Sequence, residues 1–236
     1  MLEEAGFSTV VLASVRAQAE KVRPPRALWT SAVLGRPVGE PDDPAFQHRV
    51  LRAALALLER PDGPVILEDF PEDPPGLRDT PGWQPPPVPA WSPEQSPAGW
   101  AAAVATELKA LRPAWEAARH HRGRTSVGLS FQPPEAWPDF LRGALSGELA
   151  SVPPLETPAL AQRFLCDDIK AYYGEAAQAA SPAPSHRQLD GWFWRQTAAG
   201  AALIALRDVA LASNNSALRT VGGRFFVPVP WLPSPV

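Results

Sequence analysis

Cys166 is the single cysteine of this 236-residue chain. It sits in the run Phe164-Leu-Cys-Asp-Asp168, inside a helical pattern and beside two acids. A thiolate nucleophile needs a nearby cation or a helix N-terminus to lower its pKa. This context supplies neither, so Cys166 reads as a core cysteine. Asp167, Asp168 and Glu175 share the same helical stretch, and Asp168 and Tyr172, four apart, share a face. Paired carboxylates do acid–base work or hold a metal, and they also make solvated faces and ion pairs. Glu107, Glu116, His120 and His121 lie on an earlier helix. A carboxylate-bridged metal bundle would want Glu-x-x-His on two helices, and that spacing does not occur. Arg119 to Arg124 forms a cationic cluster at a helix C-terminus, where it complements the helix dipole. No Gly-x-Ser-x-Gly elbow is present. The catalytic residues are therefore unknown from sequence, and no metal or cofactor is expected.

Two weaker pointers remain. The loop Leu34-Gly-Arg-Pro-Val-Gly-Glu-Pro-Asp-Asp43 follows a strand pattern and precedes a helix. Loops at strand C-terminal ends bind ligands in open α/β folds, so Gly35, Arg36 and Gly39 are candidate anion contacts, against the alternative of a structural turn. Trp192-Phe-Trp194-Arg195-Gln196 is the densest aromatic cluster. Three consecutive large rings on one helix are expected not to enter one core together, so at least one should cover a second surface, with Arg195 stacking on a ring. Trp192, Trp194 and Arg195, with Trp83 and Trp91 of a proline-rich stretch, are the candidate partner contacts.

Composition narrows the class. The chain holds 22 Lys+Arg against 25 Asp+Glu, a net charge of −3, which argues against a basic nucleic-acid surface. One cysteine cannot build a zinc ribbon or a disulfide framework. No apolar run reaches a membrane span, and Glu3 and Glu4 stand where a signal peptide would be basic. A soluble, cytoplasmic protein is expected. Thirty prolines amount to about 13% of residues, against about 5% in ordinary proteins. With 45% hydrophobic residues and nine tryptophans, a disordered chain is still not expected.

Twelve prolines fall between Pro61 and Pro97. Such density builds neither helix nor ladder, so residues 71–96 read as an extended connector onto which Trp83 and Trp91 are tacked. Before it, Phe7–Ala13, Arg26–Thr30 and Val65–Leu67 read as strands, and Val15–Val22 and Pro44–Glu59 as helices. Asp43 caps the second helix, with Pro44 at its first position. After the connector the pattern is helical. Trp100, Val104, Leu108 and Leu111 mark a helix over Pro97–His121, which Pro113 should kink or split. Thr125–Phe131 reads as a strand or a connector. Pro134 and Thr157–Pro158 open two more helices. Ser185 and Gln188 form a capping box for a last long helix to about Ala212, whose small residues Ala198 to Ala201 permit close helix approach. The tail from Phe225 reads as extended.

The fold class expected is α+β. A partial parallel α/β segment over 1–70, a flavodoxin/Rossmann-like half, joins through the connector 71–96 to a helical bundle over 97–236. Three strands and two helices are thin for an autonomous doubly wound domain, and the opening Leu2-Glu-Glu-Ala-Gly6 looks like the end of a helix.

Within residues 2 to 60, Glu4-Ala-Gly-Phe-Ser-Thr-Val-Val, Val22-Arg-Pro-Pro-Arg-Ala-Leu-Trp29 and Leu34-Gly-Arg-Pro-Val-Gly-Glu-Pro-Asp-Asp-Pro-Ala-Phe-Gln47 resemble the C-terminal portion of the selenoprotein B family. This is the family of glycine, sarcosine, betaine and D-proline reductases and their relatives. The resemblance implies an oxidoreductase that reductively cleaves a small amine-type substrate through a cysteine or selenocysteine motif. In the family that motif lies just upstream of the Glu-Glu-Ala-Gly helix, and this chain has no counterpart. Two explanations fit: the chain is a fragment read from after a recoded stop, or a redox-active partner supplies the Cys or selenocysteine. Arg36 and the 34–43 loop would then border the site. The rival reading is a non-catalytic scaffold subunit whose helices and Trp/Pro-rich surface bind a partner, as a homo- or hetero-oligomer.

Overall fold

A β-branched run after a glycine favours a strand, and in a computed structural model of the protein this one forms, though it is shorter than expected. Residues 2–91, 95–179 and 182–232 are described; Met1, Pro93 of the connector and the last four residues lie outside them. Strand β1 covers only Val11–Ala13. The Glu3 carboxylate accepts from both the backbone N–H and the hydroxyl of Thr9, at 2.6 and 2.8 Å. Phe7 is 62% exposed. Helix α1 is Arg16–Val22, β2 is Arg26–Trp29, α2 is Pro44–Ala56 and β3 is Ile66–Asp69. The three strands are parallel in the order β1–β2–β3, with Val11 opposite Ala27 and Arg26 opposite Ile66.

Side chains alternate across a strand, and β2 shows what that does here. Leu28 faces α2, where it packs with Phe46, Val50, Ala54 and Leu57, and with Ile66 and Phe70. Asp43 caps α2 by accepting from the Phe46 N–H at 3.0 Å. Burying Phe46, Val50 and Leu57 contributes about 1.5–3 kcal/mol each. Ala27 faces the other way, into a small cluster with Ala13 and Ala19, against which the half-buried Leu67 packs. One sheet face therefore has a full core and the other only three alanines and part of Leu67. The first unit comprises residues 1–79 with 185–187.

The second unit comprises residues 80–184 and 188–236. Its helices are α3 (Pro97–Arg122), α4 (Trp137–Leu145), α5 (Pro158–Ala177), α6 (His186–Gln196, whose first two residues are counted with the first unit), α7 (Ala198–Ala212) and α8 (Ser216–Val221). The chain is thus mixed, with eight α-helices and one small parallel sheet among the described residues. Its core holds Trp100, Val104, Leu108, Leu111 and Trp115 of α3, Trp137 and Leu141 of α4, and Leu165, Ile169, Tyr172 and Tyr173 of α5.

Four local readings are decided by the structure, two of them as corrections. Pro113 does not split α3, whose buried residues continue through Trp115 and Ala118. Pro113 and Lys109 are both exposed, so the carbonyl that the proline leaves without a donor lies on the solvent side of the helix. The long last helix is two helices, because Thr197 leaves helical geometry and caps α7 by accepting from the Gly200 N–H at 3.0 Å. Of the two readings of 125–131, strand or connector, the segment forms no strand. The tail is not wholly extended: Gly222–Phe226 is a π-helical turn and Val229–Trp231 a 3₁₀ turn.

Candidate functional site

Cys166, Asp168, Glu175 and Glu107 of the helical unit are buried, whereas Glu116, His120 and His121 are exposed on α3. Cys166 is fully buried, and desolvation pushes its thiol up to about 12. A fully buried thiol with a raised pKa offers very little thiolate for nucleophilic attack. Asp168 is buried on α5 and accepts four hydrogen bonds from one loop. Oδ1 takes the Gly128 and Leu129 N–H groups at 2.8 and 3.0 Å. Oδ2 takes the Ser130 N–H and hydroxyl at 2.9 and 2.5 Å. Two turns further along α5, Glu175 accepts from Trp115 Nε1, the Thr125 hydroxyl and the Ser126 N–H. The two carboxylates therefore pin the segment 125–130 in place of a strand ladder.

Glu107 plays a similar part on α3. It accepts from the Ala198 and Ala199 N–H groups at 2.7 and 3.1 Å and from the Tyr173 hydroxyl at 2.8 Å. It thereby satisfies the open N–H groups at the start of α7. Desolvation raises its pKa against the lowering effect of these donors. The sequence signal for Glu107 was an acid in phase with the buried stripe of α3. Among the described residues, no three His, Cys, Asp or Glu side chains gather as a metal site.

The 34–43 loop is a chain of tight turns. Gly35 and Gly39 both have left-handed backbones, with φ of 92° and 90°. A Cβ on Gly39 would stand 2.6 Å from the Phe46 ring, so this glycine is required by packing. Arg36 is ion-paired with Glu40. The Asp43 carboxylate holds the Phe46 N–H at the start of α2, where an anion would bind. Gly35, Arg36 and Gly39 are brought together, then, with their positive charge neutralised and the helix start occupied.

The aromatic run departs from expectation. Trp192, Phe193 and Trp194 are 2%, 5% and 7% exposed and belong to a single core. Tyr173 meets Trp192 and Phe193 at 6.0 and 5.4 Å between ring centroids, and Phe193 meets Trp194 edge-on at 4.8 Å. The reason is the break at Thr197. It returns the chain so that Gly200 of α7 lies against the backbone of Phe193 and Trp194, covering the outer arc of α6. Neither Trp192 nor Trp194 has a ring face left for a partner. Arg195 does stack on a ring, that of Trp231 at 5.0 Å. Trp83 and Trp91 pack partly buried on the helical core, Trp91 at 5.1 Å from Trp100.

An exposed apolar groove lies in the first unit. Val11, Val15, Val22 and Leu34 are 41%, 47%, 61% and 82% exposed. With Ala19 and Pro24 they line a groove of about 280 Å³ along β1 and α1. Val11 and Ala13 point to the sheet face that carries the small alanine cluster. Strand β1 pairs with β2 on one side, and it is an edge of the sheet. The sequence did carry a signal for this face: Val15, Ala19 and Val22 follow i, i+4, i+7 spacing.

Comparison of the chain with protein-family models, with curated proteins and with solved structures found no match. No helix among the described residues is long and apolar enough to cross a membrane.

Proposed function

We propose that this chain is a non-catalytic, partner-binding subunit. In this reading the first unit is a flavodoxin/Rossmann-like half-sheet, which a second polypeptide extends by adding a strand along β1. The helical unit is a bundle that serves as scaffold. The observation that carries the proposal is the apolar groove beside the open edge. Parallel sheets are normally covered on both faces, edge strands offer unpaired backbone groups, and contiguous exposed apolar surface marks an interaction site. The occupant committed to is a strand-bearing α/β polypeptide with an apolar strand and helix face.

The resemblance to the selenoprotein B family gives that partner its chemistry. It would supply the Cys or selenocysteine motif, and reductive cleavage of a small amine-type substrate would take place on it. Thiol chemistry of that kind suits a reducing cytoplasm. The buried, protonated Cys166 agrees with this division of labour, since the chain's one thiol is out of reach.

The test is co-expression with the polypeptide encoded immediately upstream, followed by size-exclusion chromatography with light scattering. A stoichiometric complex is expected, and Val22→Glu with Leu34→Glu should dissociate it while leaving the chain folded, because both side chains are largely exposed. A complex that survives both substitutions, a monomer beside an unbound upstream polypeptide, or a homodimer through the same face would each overturn the proposal.

A further inference from the structure

A hollow of about 320 Å³, at the lower end of the range for small-molecule sites, opens on the helical unit beside α3. Ala105, Lys109 and Arg112 of α3 form one wall, and Pro134 and Pro138 form the other. The three α3 residues stand at i, i+4 and i+7, so they share one face of the helix. Pro134 begins the 3₁₀ turn Pro134–Ala136, and Pro138 lies in the first turn of α4. The proline rings are rigid and Ala105 is short, so neither wall fills the space. Arg112 pairs with Glu135 of the facing wall, joining the two, and with Glu116 along α3. Tyr172 of α5 forms the floor, with its hydroxyl donating to the Leu108 carbonyl at 2.9 Å.

Lys109 sets the chemistry. It is exposed at the rim. Its helix neighbours three and four residues away are Thr106, Ala105, Arg112 and Pro113, none of them acidic. Among the described residues it makes no ion pair, whereas Arg112 is neutralised by Glu116 and Glu135. The lining thus holds two cations, Lys109 and Arg112, against the single carboxylate of Glu135. The Lys109 ammonium sits on a flexible four-carbon stem that can swing over the mouth. Solvent alone satisfies such a lysine. A ligand gains when one molecule both meets that charge and buries an apolar body between the proline rings and Ala105. A second negative charge would be repelled by Glu135, so the complement is a monoanion.

We propose that this hollow binds a small monocarboxylate on an alicyclic or aliphatic body. The carboxylate pairs with the Lys109 ammonium at the rim, and the body lies between the walls over Tyr172. The site is independent of the proposed partner face and of any redox chemistry there.

Cyclohexanecarboxylate and cyclohexanecarboxamide are the paired probes. They match in shape, and only the first is charged at neutral pH. Titration of the full ¹⁵N-labelled chain, followed by two-dimensional NMR, reads the backbone amides of residues 105–112 and 135–137. At low salt the carboxylate should bind about two- to fivefold more tightly than the carboxamide, the worth of one partly exposed ion pair. The difference should shrink at high salt. Lys109→Met should bring the two affinities together, and Lys109→Arg should keep them apart. Ala105→Phe, which fills the hollow from the same helix face, should weaken both probes. Lys109 and Ala105 are exposed, so all three variants should fold. No saturable carboxylate binding, equal affinities in the unaltered chain, shifts mapping away from these residues, discrimination that survives Lys109→Met, or affinities untouched by Ala105→Phe would each overturn the proposal.

Discussion

Replacing Asp168 by Asn tests whether the buried carboxylate of α5 is a structural clasp. The substitution keeps the volume and turns one acceptor oxygen into a donor. If the new NH₂ takes the Oδ1 position, the Gly128 and Leu129 N–H groups both lose their acceptor. If it takes the Oδ2 position, only the Ser130 N–H does, because the Ser130 hydroxyl can rotate to accept. The second placement costs less, yet Ser130 is 2% exposed, so its N–H cannot turn to water. One orphaned buried donor costs about 1–3 kcal/mol. The surviving bonds from Gly128 and Leu129 lose their charge assistance, at about 0.5–1 kcal/mol each. A loss of about 3 kcal/mol is expected, or roughly 6–12 °C in Tm for a domain of this size. Eight of the nine tryptophans lie in the helical unit, so urea denaturation followed by tryptophan fluorescence reports on that unit. Ser130→Ala, which removes only the hydroxyl donor, should cost about 1 kcal/mol. A loss below about 1 kcal/mol for Asp168→Asn would refute the clasp and reopen Asp168 as a group kept for chemistry.

Glu107 should produce the opposite pH dependence from an ordinary paired carboxylate. Its folded pKa lies above the unfolded value of about 4.5, so the folded state holds the proton more tightly. Its contribution is complete below that value and is lost as pH rises through the folded pKa. The stability gap between the unaltered chain and Glu107→Gln should therefore narrow as pH rises from about 4 upward; urea midpoints across that range check this, and a widening gap refutes it. Gly200→Ala would place a Cβ 2.3 Å from the Phe193 carbonyl oxygen and 2.9 Å from the Trp194 Cα, both fixed backbone. It should cost about 3 kcal/mol in thermal unfolding. Gly223→Ala, whose nearest contact is a Leu211 methyl at 3.4 Å, should be near neutral.

Much of the scaffold was legible because it follows from local rules. Asp43 before Pro44 and Thr157 before Pro158 combine a cap with a proline at the first helical position, and both start helices as expected. The stripe of Trp100, Val104, Leu108 and Leu111 is buried as its spacing requires. Boundaries were less legible where a side chain competes with the backbone. Thr197 reads as a mid-helix residue until its hydroxyl is seen capping α7, and Glu3 takes the Thr9 N–H just ahead of β1. The buried Gln162 has no local signature, since an interior polar position on α5 looks like any other polar residue in the string.

Sequence alone determined the mixed composition of elements, the single cysteine without an activating neighbour, and the thin α/β start that is short of a full sheet. These depend on residue type, periodicity and capping within a few positions. Tertiary structure alone decided which polar groups are spent and which are open. Asp168, Glu175 and Glu107 are occupied by donors 38 to 92 residues away in the chain, while the groove along β1 is open. The physical reason is that burial and hydrogen-bond satisfaction are properties of the space around an atom. Helix packing sets that space, and a linear spacing does not encode it.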